Sequence, residues 1–271
     1  MNELGIRDSR LGQTGDPHFT PPARPLRPRA VVSLVAAVLL VGCATSGATP
    51  ALSPTAQPVA ATSLPPSLPP SNPPGPCGGP CSAGTHRSVR LQPALTYTVP
   101  EGWFGIADET QEYILKFGSA ETDDGLFIFR EPVAHSQQPD CADTADPTVG
   151  TSPKELTDWI ASLPGLVATP PKAVTVGGLP GFTLDVRVAP TWTQTCPYSN
   201  GAPVAPLIRS TFPGSDLDWN VGGTGRMRIY VLDAGLGRRL WMDVETIDGN
   251  DFDQLAERST PVIESFEFSV Q

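Results

Sequence analysis

Histidine is almost missing from this sequence, because the 271 residues contain only His18, His86 and His135. Hydrolytic triads use a histidine as the base, and zinc sites commonly use histidine as a ligand. His18 precedes the apolar run near the N-terminus, and we expect His135 to lie in a solvated loop near Asp140. Hydrolase and nucleotide-binding motifs are also absent. The sequence therefore predicts no catalytic residue, no metal site and no cofactor.

Basic residues are scarce as well. The chain has 18 Lys and Arg against 28 Asp and Glu, which gives a formal net charge of −10. An acidic surface repels the phosphate backbone, and no Lys/Arg cluster or stripe of aromatic residues offsets this repulsion. We therefore expect no nucleic-acid partner.

The chain has no apolar run that is long enough to be a stable membrane anchor. Its longest run, residues 30–41, is interrupted only by Ser33, whereas a helix that spans a bilayer needs about 20 apolar residues. Arg24, Arg27 and Arg29 come just before the run. A basic flank followed by a short apolar core is typical of a secretory signal peptide.

The apolar run ends in Leu40-Val41-Gly42-Cys43, which resembles the lipobox of bacterial lipoproteins. In those proteins the Cys thiol receives a diacylglycerol, and a peptidase cleaves the chain just before this Cys. The resemblance implies that residues 1–42 are a lipoprotein signal peptide and that acyl chains on Cys43 anchor the protein at the extracytoplasmic face of the cell membrane. The alternative is an ordinary signal peptide with a chance Cys.

The segment after Cys43 is rich in proline and carries no charge. Residues 44–85 include eleven prolines and no Lys, Arg, Asp or Glu. Such a composition cannot bury enough apolar surface to offset the entropy lost on ordering, so we interpret it as a disordered linker. At about 42 residues, an extended linker would reach on the order of 100 Å. The predicted organisation is a signal peptide (1–42), the lipidated Cys43 with its linker (43–87) and one folded domain (88–271).

Four cysteines follow Cys43, and an even number in an exported chain indicates two disulfides. Cys77 and Cys81 are close enough in sequence to pair with each other. Cys141 and Cys196 would then close a loop of about 56 residues. The sequence leaves the crossed pairings open.

Strand and helix patterns alternate after the linker. Ser152 and Glu155 form a capping-box pattern that predicts a helix ending near Gly165. A second helix is expected over residues 251–266, where Pro261 either kinks it or begins another helix. The predicted strands are residues 95–99, 113–117, 126–129, 173–176, 181–188, 206–212, 227–232 and 240–246. The predicted class is α+β, an antiparallel sheet with about two covering helices.

Three motifs in this region resemble those of PsbP/Mog1-like domains. They are YTVPEGW at residues 97–103, VGGLPGF at 176–182 and IESFEF at 263–268. The resemblance covers about residues 90–269 and implies an α/β/α sandwich of a kind found in exported bacterial lipoproteins. These motifs are structural, so the resemblance transfers no active-site residue.

One polar loop, residues 190–201, is the best candidate for a binding surface. Aromatic side chains on a loop that a disulfide holds rigid supply contact area at low entropic cost. The predicted ligand contacts are Trp192, Tyr198, Trp103, Trp219 and Arg209. The alternative is that the aromatic rings of the loop only cover the edge of the sheet.

These patterns together predict a monomeric, lipid-anchored and non-catalytic module at the cell surface. It would contact the membrane through Cys43 and bind a cell-envelope component or a small ligand. Two alternatives stay open. One is an accessory subunit that docks on an envelope complex, and the other is an envelope hydrolase with an unusual site.

Replacing Cys43 with Ala is expected to abolish acylation, because the diacylglycerol is attached through the Cys thiol. In a bacterial host that processes lipoproteins, the wild-type chain should incorporate a labelled fatty acid and the Cys43→Ala chain should not. Ser46→Ala, three residues downstream, is the matched control and should keep the label. An unlabelled wild-type chain would show that the segment is an ordinary signal peptide.

Overall fold

The computed structural model describes residues 75–212, 215, 217–247, 249 and 251–269. The predictions for Cys43, the signal peptide and the linker up to residue 74 lie outside these residues. Within the described ranges, no helix is both long and apolar enough to cross a membrane.

In chain order the elements are β1 (Gly79–Pro80), β2 (Gly84–Arg87), β3 (Ala94–Val99), β4 (Trp103–Asp108), β5 (Glu112–Phe117), β6 (Gly125–Arg130), β7 (Val133–Ala134), α1 (Pro153–Ser162), β8 (Leu166–Ala168), β9 (Lys172–Val176), β10 (Leu179–Val188), β11 (Val204–Arg209), β12 (Asp218–Gly222), β13 (Arg226–Gly235), β14 (Arg238–Thr246), α2 (Phe252–Glu264) and β15 (Glu267–Ser269).

A nine-stranded antiparallel sheet forms the centre of the domain. Its strands follow the order β1-β4-β5-β6-β14-β13-β10, and β8 and β9 pair with successive parts of β10. The β13–β14 hairpin lies in the middle, paired from Arg226 with Thr246 to Gly235 with Arg238. The strands predicted at residues 173–176, 181–188, 227–232 and 240–246 are confirmed as parts of this hairpin and of the β9–β10 hairpin, and so is the α+β class.

Each face of the central sheet is covered by one helix and one three-stranded sheet. The first core contains residues of α2 and β3, the middle strand of the sheet β15-β3-β2. The second core contains residues of α1 and β11, the middle strand of the sheet β12-β11-β7. Neighbouring side chains of a strand point to opposite faces. On β14, Met242 therefore joins the first core and Trp241 joins the second.

The capping box predicted for α1 is present. Glu155 donates its backbone N–H to Ser152 Oγ at 3.3 Å, and Ser152 donates its backbone N–H to Glu155 Oε2 at 3.0 Å. These two bonds satisfy donors that the first turn of a helix leaves unpaired. Leu156 and Ile160, one turn apart, are buried against the sheet. The sequence pattern therefore placed both the start and the buried face of this helix.

Helix α2 continues through Pro261, so of the two alternatives at this proline the second short helix does not form. Proline removes one backbone hydrogen bond from the interior of a helix. Val262 and Ile263, which follow directly, are buried in the first core. Burial of these two side chains holds the last turn against the sheet and offsets the lost bond.

The folded domain begins earlier than predicted. Strands β1 and β2 lie before residue 88, where β1 pairs with β4 and β2 pairs with β3. Cys77 and Cys81 are only 6% and 7% exposed. A Cβ on Gly105 would lie 1.9 Å from the carbonyl oxygen of Cys77, so glycine is required there for the close approach. Composition alone indicated a linker. The strands that order this segment by pairing with it, β3 and β4, lie outside it, and its disulfide forms only when the segment is folded.

Both predicted disulfides are formed. Cys77 is bonded to Cys81, and Cys141 is bonded to Cys196. The pairs are separated by 4 and 55 residues in sequence. Disulfides are stable in oxidising compartments, which agrees with an exported chain.

Removing the long-range disulfide should destabilise the domain more than removing the short one. In the chain-entropy account, a loop of about 56 residues contributes roughly 4 kcal/mol and a loop of about 5 residues roughly 2 kcal/mol. The Cys141→Ala/Cys196→Ala and Cys77→Ala/Cys81→Ala chains should therefore differ by about 2 kcal/mol in unfolding free energy, measured in urea. Equal losses from the two double variants would contradict this account.

Candidate functional site

The loop between β10 and β11 is held from both sides. The Cys141–Cys196 disulfide ties it to the segment after β7. Trp192 donates its indole N–H to the carbonyl oxygen of Val204 at 2.8 Å, and Val204 donates its backbone N–H to the carbonyl oxygen of Gln194 at 2.9 Å. These bonds fix the backbone on either side of Tyr198, which is 45% exposed at the loop surface.

A groove with a volume of about 850 Å³ lies between this loop, β12 and one face of the central sheet. Its apolar floor includes Ile114, Phe127 and Met227 from three different strands of the sheet. The three-stranded sheet and α1 cover only part of that face, so the groove is the uncovered remainder.

The rim of the groove exposes large apolar side chains. Ile106, Tyr198 and Ile247 line it and are 43%, 45% and 57% exposed. Among the described residues, only three other large hydrophobic side chains are exposed, at Val89, Val167 and Leu236, and none of these lines the groove. Clustered exposed apolar groups mark binding sites more often than scattered ones.

Trp219 on β12 forms part of the groove wall. Its ring packs against Phe127 and Phe129 of β6, with ring centroids 4.9 and 4.8 Å apart. Its indole N–H is buried and is directed at the carboxyl group of Asp243, which it stabilises in the ionised form. Trp219 therefore joins the groove wall to the buried carboxyl group beneath it.

Two carboxyl groups lie on β14 beneath the groove. Asp243 is fully buried, and Trp241 donates its indole N–H to Asp243 Oδ1. Burial raises the pKa of Asp243 to about 8. Glu245 is 8% exposed and lines the groove. Burial first, and then the nearby charge of Asp243, raise the pKa of Glu245 well above its usual range. Asp243 is therefore mostly protonated at neutral pH, and burial favours the protonated form of Glu245.

A second polar cluster lies at the start of β12, around Asp218. Arg209 forms a two-point contact with Asp143, with Nη2 3.0 Å from Oδ2. This contact holds the pKa of Asp143 below its usual range. His135 Nε2 lies 3.6 Å from Asp218 Oδ1 and 3.9 Å from Asp143 Oδ1. The prediction of a solvated loop at His135 is therefore wrong, since the side chain is 0% exposed.

The hydrogen bond at the other ring nitrogen fixes the tautomer of His135. Nδ1 lies 2.6 Å from the carbonyl oxygen of Ser136, which can only accept, so Nδ1 carries a hydrogen. Nε2 then faces Asp218, and a favourable contact requires a proton on one of the two groups. Burial raises the pKa of Asp218, so its carboxyl can supply that proton. The pair acts as a buried support for the groove wall.

The five predicted ligand contacts do not lie together in the structure. Tyr198 and Trp219 line the groove. Trp192 packs over Gly165, where a Cβ would lie 2.8 Å from the indole, so this ring covers the fold. Arg209 is engaged by Asp143 behind the wall. Trp103 belongs to the core on the opposite face of the sheet and packs against Phe117.

Sequence reasoning missed Glu245, Asp243 and Ile106 as site residues. A usable signal was present on β14, where acidic residues at 243 and 245 alternate with Met242 and Val244. That period of two places both carboxyl groups on one face of a strand buried on both sides. Among the described residues, no group of three or more His, Cys, Asp and Glu side chains is arranged to hold a metal ion.

No protein-family model matches the chain, and no curated protein matches it. Three solved structures are similar in fold. Cyanobacterial PsbP (CyanoP) from Synechocystis is 16% identical with a TM-score of 0.37, covering 72% of this chain and 98% of that protein. LpqN of Mycobacterium tuberculosis, described as involved in cell envelope biogenesis, is 14% identical with a TM-score of 0.34, covering 65% of this chain and 83% of that protein.

The third similar structure is a protein of Bacteroides thetaiotaomicron. It is 9% identical with a TM-score of 0.31, and the match covers 65% of this chain but only 45% of that protein. All three similarities concern the fold, and no functional residue is transferred from them. PsbP is also the family that the sequence motifs resemble.

Replacing Asp243 with Asn should flatten the dependence of stability on pH. The pKa of Asp243 rises from its ordinary 3.8 to about 8 on folding. Between these values the folded state binds more protons than the unfolded state, so stability is highest below about pH 4 and falls as the pH rises to 8. One such group contributes a slope of up to about 1.4 kcal/mol per pH unit.

Urea unfolding at pH 5 and pH 8 measures this slope. The Asp243→Asn chain should lose less stability than wild type on going from pH 5 to pH 8, and the amide oxygen can still accept the bond from Trp241. Glu257→Gln, an exposed change on α2, is the control and should behave as wild type. Identical slopes in wild type and Asp243→Asn would mean that Asp243 is ionised in the folded state.

Proposed function

We propose that the protein is a lipid-anchored, non-catalytic binding module at the extracytoplasmic face of the cell membrane, and that its groove takes up a small amphipathic ligand. The groove beneath Tyr198 and Trp219 carries this proposal. Its volume of about 850 Å³ lies within the range of about 300–1,000 Å³ typical of small-molecule sites. An apolar floor with a few polar groups is also typical of such sites.

The apolar rim supports a ligand with an apolar part. Ile106, Tyr198 and Ile247 stay exposed at the mouth of the groove, which is unfavourable in water unless a ligand covers them. Covering such side chains stabilises a complex by roughly 25 cal/mol per Å² of apolar surface. The disulfide and the backbone bonds around Tyr198 hold the loop in place, so binding would require little further ordering.

The polar groups at the groove favour binding over turnover. Neither described histidine, His86 or His135, lines the groove, and His135 is fully buried behind Asp218. A general base must reach the proton that it removes from a substrate. Glu245 is buried with a raised pKa, and among the described residues the groups that act on it are carboxylates and Lys116, with no hydroxyl or thiol that it could activate as a nucleophile.

The Tyr198→Ala chain should lose a ligand that the wild-type chain retains. Residues 44–271, exported to an oxidising compartment and purified, should show a bound adduct by native mass spectrometry. Removing the Tyr198 ring deletes exposed apolar surface at the rim, so occupancy should fall by about tenfold for a loss of about 1.4 kcal/mol.

Leu236→Ala is the matched control, since Leu236 is 90% exposed and lies away from the groove. Its adduct should equal that of wild type. A bare wild-type mass, together with one long-lived protein partner after crosslinking in cells, would argue for the accessory subunit instead. Equal loss of the adduct in both variants would place the ligand outside the groove.

A further inference from the structure

The polar lining of the groove is strongly biased towards acidic groups. The ionisable acidic residues on its walls are Asp123, Asp218 and Glu245, whereas Lys116 is the one basic residue among the described lining residues. Lys116 Nζ lies 3.8 Å from Asp123 Oδ1, so its charge is already partly balanced. An anionic ligand would therefore meet three carboxyl groups and only this one basic group, which is already engaged.

The most deeply buried carboxyl group of this lining has few partners for ion pairs or hydrogen bonds. Glu245 is more than nine-tenths buried and lines the groove, and no described Lys, Arg or His forms an ion pair with it. Asp218 Oδ1 faces His135 Nε2 at 3.6 Å, and Asp243 is bonded by the indole N–H groups of Trp241 and Trp219, so Glu245 is the lining carboxyl group without a hydrogen-bond donor among the described residues. Buried carboxyl groups normally have donors, so the two oxygens of Glu245 are acceptors that a ligand can satisfy.

Aromatic faces lie beside these acceptors. Trp219 and Tyr198 both line the groove, and the electron-rich face of an aromatic ring attracts organic cations. Apolar side chains of the floor and rim, including Ile114 and Ile106, complete the wall. An ammonium group attached to an apolar body is recognised by three features together. These are hydrogen-bond acceptors at the buried end of the groove, aromatic faces beside them and an apolar mouth.

We propose that the groove selects an amphipathic cation, a primary or quaternary ammonium on an apolar body, with its charged head against Glu245 and its body under Tyr198 and Ile106. This inference rests on the proposed binding function and names the ligand class for the same groove. The acidic surface of the whole chain, with a net charge of −10, would also attract such ligands over anionic ones.

Binding of a cation should release protons. The groups whose charges act on Glu245 are Asp243 on its own strand, Asp123 and Asp124 in the loop before β6, and Lys116 on β5, while Asp218 on β12 lines the same groove. The three aspartates oppose ionisation of Glu245 and only Lys116 favours it. A bound cation would reverse this balance, so Glu245 would ionise and affinity would rise with pH.

The test uses three probes that share an eight-carbon chain: octyltrimethylammonium, octyl glucoside and octanoate, each below its aggregation concentration. Binding to residues 44–271 is measured by isothermal titration calorimetry. Wild type should bind octyltrimethylammonium about tenfold more tightly than octyl glucoside, a difference of about 1.4 kcal/mol, and octanoate most weakly. In two buffers of different ionisation enthalpy, the heats should show proton release on binding the cation only.

Glu245→Gln keeps the size of the side chain and removes the ionisable group. It should reduce affinity for the cation about tenfold, leave octyl glucoside unchanged and abolish proton release. Glu267→Gln, an exposed change on β15, removes the same charge away from the groove and should change none of these values. Urea unfolding of each variant confirms that the fold is retained.

The outcomes separate this inference from the proposed function. If octyl glucoside binds wild type as tightly as the cation does, and Tyr198→Ala weakens both, the groove binds apolar chains and the selection of cations is overturned. If Glu245→Gln and Glu267→Gln weaken cation binding equally, the effect is surface charge alone and the inference also fails. If no probe binds, both the inference and the proposed amphiphile site fail.

Discussion

Burial of the central sheet on both faces is the constraint on which the rest of the structure depends. Strand β14 shows it most clearly, because eight of its nine residues, Arg239 to Thr246, are buried. A sheet covered on one side only can place polar side chains on the other face. Here each face needs its own cover, and the chain supplies a helix and a small three-stranded sheet for each. On one side that cover is incomplete, and the groove is the part of the sheet left open.

Acidic residues on such a strand are unfavourable for folding. Asp243 and Glu245 occupy positions on β14 where an apolar side chain would fill the second core, and burial raises the pKa of both. Protonation lowers the cost of burying a carboxyl group but does not remove it. Natural chains tend to retain unfavourable groups at functional sites. The groove opens directly above Glu245, so the costly residues and the accessible cavity coincide, and the proposed binding site rests on this coincidence.

Sequence patterns succeeded where one short segment contains its own determinants. The capping box at Ser152 and the sequence spacing of Cys77 and Cys81 are examples. They failed where the structure of a segment depends on contacts with segments that are distant in the chain. The strands at residues 79–80 and 84–87 form because β4 and β3 offer them hydrogen bonds, and Trp103 is buried because its strand is covered by α2 and β3. Aromatic residues were good candidates in general, but the sequence could not distinguish an exposed ring such as Tyr198 from a covering ring such as Trp192.

The amino-acid sequence by itself determined the α+β class, the even number of cysteines available for disulfides and the acidic composition, because each depends on composition or on local patterns. The lipid anchor at Cys43 stays a prediction from the sequence, and the tertiary structure decided that Cys141 pairs with Cys196. The tertiary structure alone decided which residues share a site. Glu245, Trp219 and Tyr198 lie on β14, β12 and a loop, and they meet because the β7–β11–β12 sheet packs on the central sheet and leaves part of it open. The contacts of that packing join segments far apart in the chain, so no local pattern encodes the groove.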